Sequence, residues 1–86
     1  MRSLDDVRAD FDEVDEALVA LIARRQRLAA EAGIIKRAAA RPVVDPEREA
    51  RGRARREQAC AAQGVAGDVV EAVFAALIAA SRDTQR

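Results

Sequence analysis

Two basic residues on one predicted helix carry the first sign of chemistry. Laid out in sevens, Leu4, Val7, Phe11, Val14, Leu18, Leu21, Leu28, Ala32 and Ile35 fall on a single a/d seam, and Arg25 takes the seam position between Leu21 and Leu28. A cation turned toward a core is costly unless an anion meets it, and no acidic seam residue stands opposite. Lys36 follows about three helical turns and some 16 Å further along, so it projects from nearly the same face and could grip a small dianionic metabolite together with Arg25. Arg8 precedes Arg25 by roughly 25 Å on the same helix, too far to touch that ligand within one chain. A second copy packed antiparallel about Leu18 to Leu21 would deliver its Arg8 to the Arg25–Lys36 interval, with two equivalent sites per dimer.

These residues need a long helix to hold them. Ser3 followed by Asp6 reads as an acidic capping box, Asp5 and Asp6 suit the positive helix end, and no proline interrupts before Arg41-Pro42. The helix is expected to reach Ile35 or Lys36, with Gly33 inside it at a cost of about 1 kcal/mol unless a neighbour or ligand approaches closely there. A connector follows over 37–44. Asp45-Pro46-Glu47 then gives an N-cap, a proline for the first turn and an acid for the dipole, so a second helix should run from Pro46 to about Gln63 and stop at Gly64. Its apolar positions are only alanines and Cys60, while Arg51, Arg53, Arg55 and Arg56 read as a solvated face. A third helix opens at Asp68 on the stripe Val69, Val70, Val73, Phe74, Leu77 and Ile78. Continued, that stripe reaches Ser81 and Gln85, which periodicity alone reads as a helix end fraying into solvent.

Composition narrows the chemistry. The 86 residues suit one small all-α domain, marginal in the surface it can bury alone, so a homodimer is expected. Fifteen basic and fifteen acidic residues cancel, leaving no global field toward nucleic acid or a membrane surface. There is no histidine and one cysteine, which removes His-based acid–base catalysis, Cys–His nucleophiles and the usual zinc sets; neither metal nor cofactor is expected. Cys60, among alanines, reads as a small buried hydrophobe. With no apolar leader and no spanning segment, a cytoplasmic location is expected.

The ordered set Arg8, Arg25, Lys36 after Gly33, Arg41-Pro42-Val43 with Asp45, Arg48 and Glu49, and finally Ser81 and Gln85 resembles the small all-α chorismate mutases. That resemblance implies an intertwined homodimer with three helices per chain, one long and two shorter, enclosing two sites that convert chorismate to prephenate. It implies that Arg25, Lys36 and Arg48, with Arg8 from the other chain, hold two carboxylates and an ether oxygen. Lys36 and Gln85 would donate to that oxygen, Glu49 and the backbone at Asp45 would meet the ring hydroxyl, and Ser81 would assist at a carboxylate. A pericyclic rearrangement transfers no proton and forms no covalent enzyme intermediate, so a site without histidine or nucleophile suits it. Within the same fold, an isochorismate pyruvate-lyase would lack the acid at Glu49, whereas a 4-amino-4-deoxychorismate mutase could use that carboxylate for an ammonium. From another class, a helical dimerisation module binding acidic partners has the same amphipathic stripe.

Overall fold

The computed structural model describes residues 1–86 and consists of three α-helices without a strand: α1 over Leu4–Ala38, α2 over Pro46–Gln63 and α3 over Gly67–Gln85. Local chemistry sets most of their ends. Ser3 Oγ accepts from the Asp6 N–H at 3.1 Å while Asp6 Oδ2 accepts from the Ser3 N–H at 3.1 Å, a reciprocal capping box. Asp45 Oδ1 accepts from the Arg48 N–H at 3.1 Å, and Pro46 fills a position whose missing N–H would have had no partner. Gly64, at φ 67°, makes the left-handed turn that ends α2. The end of α1 lies slightly beyond the expected Lys36. Its last turn closes through the Arg41 N–H donating to the Lys36 carbonyl at 2.8 Å, with Ala40 at φ 55°, a conformation that costs an alanine roughly 1 kcal/mol.

α3 packs against the C-terminal half of α1 in the same direction, and α2 folds back on α3 while standing off α1. The contact with α1 departs from the a/d seam. Leu28 and Ile35, both seam residues, stay 54% and 58% exposed, whereas Ala29 and Gly33 on the neighbouring face are the two buried residues. Small side chains explain the choice, because backbones approach most closely where no long side chain intervenes. A Cβ at Gly33 would lie only 2.9 Å from Gln85 Cα. Apart from Arg25 and Ala32, the seam is therefore left uncovered by its own chain.

From Leu4 to Leu21 every residue of α1 is exposed, Phe11 and Leu18 included. The accessible surface of 6906 Å² exceeds the roughly 5,000 Å² of a compact 9.3 kDa monomer, and the radius of gyration of 16.3 Å exceeds the ~12 Å such a chain should have. Cys60 is half-buried rather than buried, beside Val70 and Phe74, because the surrounding alanines are too short to enclose it. No helix is long and apolar enough to cross a membrane.

Candidate active site

Because α2 touches α3 but not α1, a cleft of about 1090 Å³ opens between α1 and α2 with α3 as its floor. Arg25, Lys36, Asp45, Arg48, Glu49, Ser81 and Gln85 all line it. The sequence thus scatters these residues over three helices and a connector, and the fold gathers them on one surface.

At one end, Arg25 Nη1 donates to Ser81 Oγ at 2.6 Å and to the Leu77 carbonyl at 3.2 Å, while the Ser81 hydroxyl donates to the same carbonyl at 2.9 Å. All of its acceptors are neutral. Burial first, then the positive charges of Arg56 and Arg48, pull the Arg25 guanidinium below the usual arginine value. At the other end, Lys36 Nζ donates to the Val43 carbonyl at 2.8 Å and to Gln85 Oε1 at 2.5 Å. The turn that closes α1 on the Lys36 carbonyl brings the connector back over the same residue's side chain, so Val43 reaches Nζ. With Oε1 committed to Lys36, the Gln85 amide hydrogens remain unspent. Arg37 Nη1 donates to the Gln85 carbonyl at 3.1 Å and ties down the last turn of α3.

This ordered terminus corrects the expectation of fraying. α3 runs to Gln85, and Ser81 and Gln85 face α1 because Gly33 lets the two backbones meet. Periodicity on α3 alone carried no information about that neighbour.

Arg48 completes a set of three cations, with Arg25 and Lys36, that have no carboxylate partner within the chain. With Arg53, also on the lining and unpaired, these cations outnumber Glu57, the one lining acid without an ion-pair partner, so the cleft is short of negative charge that a multiply charged anion would supply. Glu49 is one of the acids on the lining, beside Asp45, Glu57 and Glu71, and Arg82 Nη2 donates to its Oε1.

Arg56 corrects a second expectation. Far from solvated, its side chain is 18% exposed; it holds Glu71 through Nε at 2.9 Å and Nη2 at 3.3 Å, and its guanidinium lies 4.8 Å from the centre of the Phe74 ring. Arg25 approaches that ring too, at 5.6 Å. The hydrogen bond to Arg56, then its charge, holds the Glu71 carboxyl below the ordinary glutamate value, while the same bond raises Arg56. Arg51, Arg53 and Arg55 are exposed as expected, and Arg53 also contributes to the lining of the cleft. Sequence reasoning missed Arg56, Glu71, Phe74 and Arg82, yet a signal existed. Arg56 and Glu71 stand almost equally far from the Gly64 turn on either side, and Glu49 and Arg82 do so to within one helical turn, so an antiparallel helix pair brings each couple near the same level.

Arg8 is not part of this cleft within one chain. It projects from the exposed N-terminal part of α1, where Nη1 lies 3.9 Å from Asp5 Oδ1 and the side chain is 67% exposed.

Fold and cleft together define an all-helical protein with a cationic pocket built from three helices. Residues 7–86 match the profile of the family described as chorismate mutase type II, and the chain belongs to that family. Among curated relatives, it is 41% identical over 68 residues to the T-protein of Enterobacter agglomerans, covering 79% of this chain and 18% of that protein. It is 37% identical over 75 residues to the T-protein of Haemophilus influenzae, covering 86% of this chain and 20% of the relative. The chain spans about a fifth of the length of the curated relatives it matches.

Proposed function

We propose that this chain catalyses the Claisen rearrangement of chorismate to prephenate, working as an intertwined homodimer. One observation carries the reading: Arg25, Lys36 and Arg48, three cations without carboxylate partners, converge on a single cleft with Ser81 and Gln85. Chorismate brings two carboxylates and an ether oxygen. The reaction breaks the C–O bond of that ether while a C–C bond forms, with no proton to move and no covalent intermediate.

What it demands is posture and charge. The enolpyruvyl arm must lie over the ring, and the negative charge growing at the ether oxygen must meet fixed donors. Arg25, held by Ser81 and Leu77, and Arg48 grip the carboxylates. Lys36, fixed by the Val43 carbonyl and Gln85, donates to the ether oxygen together with the unspent Gln85 amide. Glu49 and the backbone at Asp45 meet the ring hydroxyl. Because these donors are already oriented by the fold, little reorganisation accompanies the reaction.

The homodimer reading rests on the uncovered seam of α1. The excess accessible surface, roughly 1,900 Å² per chain over a compact monomer, is of the size buried by obligate dimers. A partner helix laid antiparallel on that seam carries its Arg8 to the cleft, adding a further cation to the site.

Purified protein mixed with chorismate tests both parts. Loss of chorismate absorbance is easily followed because the protein has no Trp or Tyr, and sedimentation reports the mass. No turnover, with salt-sensitive nucleic-acid binding in its place, would favour a helical dimerisation module.

A further inference from the structure

The carboxylate of Glu49 is already engaged. Arg82, one residue beyond Ser81 on α3, donates from Nη2 to Glu49 Oε1, and both side chains line the cleft at 37% and 40% exposure. Arg82 Nε is buried and has no hydrogen-bond partner, and Glu49 is the one carboxylate in ion-pair contact with this guanidinium. Glu49 Oε2 makes no hydrogen bond within the chain and remains open as an acceptor.

We propose that Arg82 is a specificity-determining residue: through Glu49 it makes the cleft accept a hydroxyl on the substrate ring and reject a protonated amine at the same position. This rests on the chorismate reading, in which Glu49 meets that ring substituent. A hydroxyl is neutral and donates one hydrogen to Oε2 without electrostatic cost. An ammonium on Oε2 would stand roughly 5 Å from the Arg82 guanidinium, given ordinary hydrogen-bond lengths on both sides of one carboxylate. Like charges at that separation in a partly solvated cleft weaken binding by on the order of tenfold to a hundredfold. Left alone, a carboxylate would favour the ammonium, since charge-assisted hydrogen bonds are the stronger ones. Arg82 reverses that preference by supplying the repulsive element.

The test compares kcat/KM for chorismate and for 4-amino-4-deoxychorismate, which differ only at this substituent. The wild-type protein is expected to prefer chorismate by roughly tenfold or more. In Arg82→Gln the preference should shrink at least about tenfold, chiefly through a lower KM for the amino substrate, and Arg82→Lys, which keeps the charge, should hold it near the wild-type value. Circular dichroism checks each fold, and Arg82→Met, which keeps the unbranched stem, stands in should the glutamine variant fail to fold. A purely structural role would lower both rates together and leave their ratio unmoved. An unchanged ratio in the uncharged variant, or a wild-type protein that uses the amino substrate as well as chorismate, overturns the proposal. Turnover of neither substrate is a separate failure, that of the chorismate reading itself.

Discussion

Substituting Gly33 by alanine should separate stability from catalysis. The added Cβ would sit 2.9 Å from Gln85 Cα, a backbone atom, and 3.2 Å from Arg37 Nη1, the end of a side chain that can swing aside. Carbon atoms pack best about 3.5–4.0 Å apart, so the last turn of α3 must withdraw by roughly 0.6–1 Å. Gln85 goes with it. The Lys36–Gln85 hydrogen bond, 2.5 Å in the native fold, would then stretch toward the limit of such contacts. Overpacking costs ~1–3 kcal/mol, while replacing a mid-helix glycine returns about 1 kcal/mol, so net stability should fall by no more than about 2 kcal/mol. Misplacing a donor by about 1 Å costs on the order of 100-fold in rate. The expected result is a folded Gly33→Ala protein, by denaturant unfolding, whose kcat on chorismate is down by about two orders of magnitude. A variant that keeps kcat within about threefold of wild type would refute the claim that close α1–α3 approach positions the ether-oxygen donors.

Other expectations follow from the same geometry. Lys36→Ala should lower chorismate turnover by roughly 10²–10³ or more while circular dichroism stays unchanged; near-normal turnover would remove Lys36 from the mechanism. Arg8→Ala and Lys36→Ala, each nearly inactive alone, should recover activity when unfolded and refolded together, because a mixed dimer holds one site with both residues intact. A statistical mixture restores about a quarter of the sites, and no recovery would mean that Arg8 does not act across the interface. Glu71, held below the ordinary value of 4.5 by Arg56, contributes stability that is fully present above about pH 4.5 and lost as pH falls through its folded value. Wild-type protein should therefore lose more stability than Glu71→Gln between neutral pH and about pH 3 in urea titrations, and equal losses would show that the pair is inert.

Much of this was legible along the chain because its causes are local. Ser3 with Asp6, Asp45-Pro46 and Gly64 each satisfy or terminate their own helix within a few residues, so the ends of α2 and the start of α1 needed no partner to be read. The set Arg25, Lys36, Arg48, Glu49, Ser81 and Gln85 was also visible, as polar groups out of place and as an ordered pattern. Their convergence on one cleft depended on how the helices lie together. Gly33 and Ala29, rather than the seam leucines, decide where α3 meets α1, since side-chain bulk sets the distance of approach. That contact draws Gln85 onto Lys36 and keeps the end of α3 from fraying. Spacing about the Gly64 turn brings the two couples near the same level, but it is the fold of α2 back onto α3 that spends Arg56 on Glu71 and Phe74, and Arg82 on Glu49, while Arg48 stays unpaired. A charge's type is written in the sequence; what it faces is a matter of which helices lie beside it, and long-range packing alone supplies that.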